Sequence, residues 1–275
     1  MAAKTARGAH RWTFEIDVKR ANQLDFSVRF SFNESLRFFL PKNTRGSLGK
    51  ILREKTSVKD AIESCGVPHP EVDLILIDGS PVDFAFQLRR EHEGEILGVR
   101  DSPERFQDAR MQTRKIARFV ADGHLGKLVR FLRLLGIDVA YDRLADDRKL
   151  LEIAVAEKRA LLTRDRRLLM HSIVQHGYYP RSQMPDEQML EVVRRFQLSS
   201  AFAPYTRCLH CNAALDSVSK SEIFSQLEPL TQIYYEDFRR CAGCGKIYWP
   251  GSHFPKLQAR IAALREQLQL APAEE

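Results

Sequence analysis

At 275 residues, 44% hydrophobic and 29% charged, the chain has the proportions of a globular protein with more than one core. It contains no run of about 18 apolar residues, which excludes a membrane-spanning helix, and its first residues, MAAKTARGAHRW, lack the apolar core of a signal peptide, so the cytoplasm is the expected compartment. The formal charge of +7 concentrates between residues 101 and 195, where 19 Lys and Arg face 14 Asp and Glu and 15 of the cations are Arg; forked guanidinium donors suit phosphate oxygens, so an anionic polymer is an expected partner beside the plain alternative of a solvated basic surface.

The first hundred residues read as strands around a helix. WTFEIDV (12–18) and DFSVRFSF (25–32) alternate apolar and polar residues, SVKDAIESCG opens on a Ser cap and closes on Gly66, and EVDLILIDGSPVDF is a strand, an Asp78-Gly79 turn and a strand start. SPERFQDARMQTRK is polar and reads as a linker or connecting helix. From Ile116 the pattern changes. IARFVAD is a strand ending at Asp122; HLGKLVRFLRLLG has Leu125, Leu128, Val129, Leu132 and Leu135 at helical spacing; IDVAYD, DDRKLLEIAVAEKR and ALLT continue as strand, helix and strand; PDEQMLEVVRRFQL is a further amphipathic helix. Strands alternating with helices of this length imply a parallel sheet with right-handed crossovers.

Cys208-Leu-His-Cys211 and Cys241-Ala-Gly-Cys244 form two C-x-x-C knuckles 29 residues apart. Four thiolates at this spacing complete a tetrahedral shell for Zn²⁺, and with no open position such a zinc is structural. Two disulfides or a redox pair compete with this reading but fit a reducing compartment and the doubled motif less well. Tyr248 and Trp249, beside the second knuckle, either stack on bases or pack the ribbon against its neighbour.

Functional groups of a parallel sheet collect at the C-terminal ends of its strands. Asp122 ends the first strand of this region, Asp165 follows the third, and Asp146 and Asp147 start the helix between the second and third. Each alone reads as a helix cap or turn residue. Together they repel, by roughly 1 to 4 kcal/mol per pair at 4 Å, unless a divalent cation such as Mg²⁺ or Mn²⁺ turns them into a ligand set for phosphodiester hydrolysis. Lys127, Arg130 and Arg133 form a slanting stripe on the first helix which, with Arg164, Arg166 and Arg167, can hold a polyanionic backbone. Lys127 and Arg164 lie nearest the acidic residues in sequence; for Arg130 and Arg133 a solvated helix face is an equal alternative.

FVADGHLGKLVRFLRLLGIDVAYD, ADDRKLLEIAVAEKRALLTRD and the ribbon RCLHCNAAL…CAGCGKIYWPGSH together resemble the Mut-seven carboxy-terminal ribonuclease family, a branch of the PIN-like nucleases with an appended zinc ribbon. The stretch TSVKDAIESCGVPHPEVDLILIDGSPVDF is similar to the ubiquitin-like β-grasp domain that precedes this nuclease. The resemblance implies an α/β chain with a β-grasp domain at 12–100, a PIN-like parallel α/β nuclease domain at 116–200 and a zinc ribbon at 205–256. It implies metal-binding roles for Asp122, Asp147 and Asp165, with Thr163 and Arg164 in the same strand-end signature. Thr163 and Arg164, with Lys127 and Arg130 of the helix stripe, are the expected substrate-binding residues. Arg166 and Arg167 stand where many relatives carry a further acid, and Asp142 is a turn residue or an extra contributor. The β-grasp domain has no free Gly-Gly end, which disfavours conjugation and leaves RNA, the ribosome or a protein as its expected contact. The expected activity is metal-dependent RNA hydrolysis, with the ribbon placing RNA; the alternative is a non-catalytic RNA- or ribosome-binding adaptor on the same fold.

Overall fold

A computed structural model describes residues 25–269. The strand expected at Trp12–Val18 lies outside them. The described chain is mixed α/β, with an N-terminal β-sheet domain, a parallel α/β sheet and a C-terminal four-cysteine unit.

The N-terminal sheet contains β1 (Phe26–Phe32), β2 (Ser47–Leu52), β3 (Val72–Ile77), β4 (Ser80–Val82) and β5 (His92–Gly98) in the order β2-β1-β5-β3-β4. Alternation along β1 turns Val28, Phe30 and Phe32 into the core, where they meet Val58, Ala61 and Ile62 of α1 (Val58–Glu63). Ser57 caps α1 by accepting the Asp60 amide. Asp78 and Gly79, both at positive φ (49° and 78°), make the β3–β4 turn expected from their sequence.

The second sheet is wholly parallel: β6 (Arg118–Ala121), β7 (Asp138–Tyr141), β8 (Ala160–Leu162) and the short β9 (Gly177–Tyr178) lie in the order β9-β8-β6-β7. Period-two alternation divides its residues between two cores. Phe119 and Leu162 pack with α2 (Gly126–Leu134) and a later helix over Pro185–Phe196, whereas Val120 and Leu161 pack with α3 (Asp147–Ala156) and α4 (Arg166–Leu169). Burial of each such large apolar side chain stabilises by about 1.5 to 3 kcal/mol. The Pro185–Phe196 helix is α5.

The four-cysteine unit adds an antiparallel sheet of β10 (Leu215–Val218), β11 (Phe238–Cys241) and β12 (Ile247–Tyr248). It is followed by α6 (Phe254–Gln267), a helix the sequence reading omitted, whose Ile261 and Leu264 return to the core under α2 and α5. Arg133 is buried rather than on the expected basic stripe. Its guanidinium donates to the Val139 carbonyl and to the Leu209 and His210 carbonyls of the first knuckle. Burial lowers its pKa, the charge being offset by those carbonyls and the nearby cysteines.

The N-terminal domain is fastened to the parallel sheet by buried polar contacts. Glu71 accepts from Arg181 at 2.7 Å and from the Tyr179 amide at 2.7 Å, and His69 Nε2 lies 2.6 Å from the Val174 carbonyl. Arg166 donates to the Phe39 carbonyl and lies over the Phe38 and Phe39 rings. Among the described residues, no helix is long and apolar enough to cross a membrane.

Candidate active site

Asp122, Asp147 and Asp165 all line one open cleft of about 930 Å³ at the C-terminal edge of the parallel sheet, together with His124, Arg143, Arg164, Arg166 and Tyr179. Each acid reaches the cleft by a different local device. Asp122 leaves β6 in extended conformation, and the next turn is drawn in by the Tyr141 hydroxyl, which donates to the Gly123 carbonyl at 2.8 Å. A Cβ on Gly123 would come 2.7 Å from the Arg143 carbonyl oxygen, so the close approach of these two backbone turns requires glycine there. Asp146 takes the cap of α3 by accepting the Lys149 amide at 2.8 Å, which leaves Asp147, one residue on, facing the cleft with no cap to make. Asp165 caps α4 through one oxygen, Oδ1, which accepts the Arg167 and Leu168 amides at 2.7 and 3.2 Å.

Thr163 links two of these acids from beneath. Its side chain is fully buried, its hydroxyl donates to Asp122 Oδ2 at 2.9 Å, and it accepts the Asp165 amide at 2.9 Å. Thr163, expected to touch substrate, therefore has no exposed surface and contacts the two acids instead. Arg164 is half-buried in the cleft wall, its guanidinium 5.9 Å from the centre of the Tyr179 ring. Lys127 and Arg130 are exposed on α2 and do not belong to that wall. Arg166 does line the cleft, but its guanidinium is engaged by the N-terminal domain, so the phosphate-facing role expected of it gives way to an interdomain one. Asp142 accepts the Leu144 amide, as a turn residue does. His124, Arg143 and Tyr179 were missing from the sequence reading, and only the adjacency of His124 to Asp122 offered a signal.

The three carboxylates share a cleft without converging on a point. Among the described residues, only the four cysteines form a group of three or more ligand atoms lying within 4.8 Å of one another. The hard oxygen donors and open space suit Mg²⁺ or Mn²⁺ that keeps part of its water shell and takes one or two protein carboxylates.

The cysteine cluster is tighter. Cys211 and Cys241 Sγ atoms lie 3.3 Å apart and those of Cys208 and Cys244 3.7 Å apart, against edges of about 3.8 Å for a tetrahedron with Zn–S near 2.3 Å. Asn212 and Gly245, each just past its knuckle, hold positive φ of 74° and 72°; the Cys211, Gly243 and Cys244 amides turn towards sulfur. Burial opposes ionisation of Cys208, but the Cys211 amide and the Tyr248 hydroxyl outweigh it and bring its thiol down to about 6. The Ala213 amide favours the Cys211 thiolate, yet burial and the neighbouring sulfurs push it up to about 12. The donor set fits a structural Zn²⁺, which would take the charge that the sulfurs otherwise share among themselves.

A family model described as the Mut7-C RNAse domain matches residues 117–261, and a second, described as Mut7-C ubiquitin, matches residues 26–107. The first takes in both the carboxylate cleft and the four cysteines. No curated protein matches the chain.

Proposed function

Because the chain belongs to the Mut7-C RNase domain family, with the ubiquitin-like domain in front, we propose that it is a metal-dependent ribonuclease that hydrolyses RNA phosphodiester bonds in the carboxylate cleft. The observation that carries this reading is the meeting of Asp122, Asp147 and Asp165, from three separate strand–helix junctions, in one open cleft beside Arg164. A Mg²⁺ or Mn²⁺ ion bound there supplies a Lewis acid and an activated water at the phosphodiester. Asp122 and Asp165 are the residues to hold it. Thr163 locks the Asp122 rotamer, and the α4 amides occupy Asp165 Oδ1 and leave Oδ2 for a ligand. Asp147 faces the same space from the opposite strand connection and completes the negative field. Arg164 holds a phosphate oxygen, its side chain steadied on Tyr179. Lys127 and Arg130 extend the basic surface along α2 for the flanking backbone. Zinc at the four cysteines holds the ribbon in shape so that it can place RNA, and the division into parts near 12–100, 116–200 and 205–256 belongs to the same proposal.

The test is incubation of the zinc-loaded protein with labelled RNA in Mg²⁺, in Mn²⁺ and in a chelator that spares the ribbon zinc. Cleavage with either ion and none in chelator is expected. RNA binding without cutting under any metal would replace the nuclease reading by that of an adaptor, and an equal preference for DNA oligonucleotides would remove RNA as the substrate.

A further inference from the structure

A second cavity, of about 450 Å³, opens where the ribbon meets the last turn of α2 and the start of α6. Its wall is largely aromatic, with Tyr205, Tyr248, Trp249 and Phe254 beside Leu134 of α2, and its charged lining includes both the cation Arg239 and the anion Asp237. The Tyr205 and Phe254 rings lie 4.9 Å apart, and Trp249 stays 40% exposed.

We propose that this cavity holds one unpaired base of the RNA whose backbone lies in the carboxylate cleft, an inference that rests on the ribonuclease reading for the identity of the strand. Two features select a nucleobase. Aromatic faces stack on any base without regard to sequence. The volume falls in the range of small-molecule sites. Trp249 meets the Phe238 ring at 6.5 Å and still keeps 40% of its surface exposed, so part of the indole is free to meet a ligand.

The route between the two sites is on the helix that joins them. The cleft is lined by Asp122, Gly123 and His124, just before α2, and the aromatic cavity by Leu134, its last residue. Lys127, Arg130 and Leu134 follow at spacings of three and four, which place them on one stripe about 10 Å long. Both cations on that stripe are exposed. A single strand leaving the cleft thus passes two positive charges before its base reaches the ring cluster.

Trp249 reports on the cavity directly. The other tryptophan, Trp12, lies outside the described residues and is silenced by Trp12→Phe. Oligouridylates of increasing length are titrated into this zinc-loaded protein without added Mg²⁺ or Mn²⁺, so that the outcome does not depend on cleavage. Quenching of Trp249 emission is expected, growing with length until the strand spans both sites. An abasic ribose-phosphate chain of the same length and charge should bind at least about fivefold more weakly, the lower end of the loss of one stacked base, with no quenching. Trp249→Leu, checked for retained zinc, should weaken uridylate binding by a similar factor and leave abasic binding unchanged. Equal affinity for uridylate and abasic chains, or RNA binding that leaves Trp249 emission unaltered, would overturn the proposal. Failure of wild type to cut RNA with Mg²⁺ or Mn²⁺ would instead count against the nuclease reading.

Discussion

The Thr163 hydroxyl donates to Asp122 Oδ2 at 2.9 Å while it accepts the Asp165 amide, so one buried atom sets the position of two cleft acids that lie 43 residues apart. Thr163→Val keeps the volume and removes that atom. Loss of the bond should cost about 1 kcal/mol in a urea melt. Release of the Asp122 rotamer should lower RNA cleavage by as much as roughly 100-fold. Unchanged turnover would show that Asp122 needs no such support.

Adjacent acids at the start of α3 have been given different work. Asp146 caps the helix and Asp147 faces the cleft. Asp146→Ala should therefore cost about 1 kcal/mol of stability with cleavage nearly intact, and Asp147→Asn the reverse. Melts and turnover measured on both variants check the assignment; the opposite pattern would exchange the two roles.

The domain junction rests on a buried ion pair. Arg181 sits 2.7 Å from Glu71, which is only 4% exposed on its side chain, and burial of Arg181 is outweighed by that carboxylate, which raises its pKa. Arg181→Met strands a buried charge and should cost about 3 kcal/mol. The urea midpoint should fall, and the stretch between the domains should become sensitive to protease. A wild-type midpoint would mean that the junction contributes little to stability.

For the ribbon, metal analysis should find about one zinc per chain. Because binding displaces thiol protons, zinc should be held less tightly as pH falls. Cys208→Ser should lose the metal and the ribbon fold, whereas Cys65→Ser, buried in the N-terminal core, should keep the zinc. A well-folded ribbon in metal-free protein would contradict the structural role.

Local pattern carried much of this architecture. The alternation in DFSVRFSF, the helical spacing of Leu125 to Leu135 and the two C-x-x-C pairs are signals within a few residues, and they reappear as β1, α2 and the sulfur cluster. The three cleft acids were legible because strand ends of a parallel sheet share one edge. Arg133 and Arg166 were not, since the placement of each depends on carbonyls distant in sequence, 77 residues away at His210 and 127 at Phe39. Tyr179 likewise gains its place from packing against Phe38 and Phe39 of the other domain. Thr163 was singled out, but only its burial separated orienting an acid from touching a substrate.

Asp165→Asn tests the metal site proposed in the cleft most directly. Asparagine caps a helix as well as aspartate does, so the substitution keeps α4 and removes only the charge. With labelled RNA and a Mn²⁺ titration, wild type should cut and Asp165→Asn should fall to background at every concentration while melting at the wild-type temperature. Metal-dependent cleavage at the wild-type rate by the correctly folded variant would contradict the assignment of this cleft as the active site.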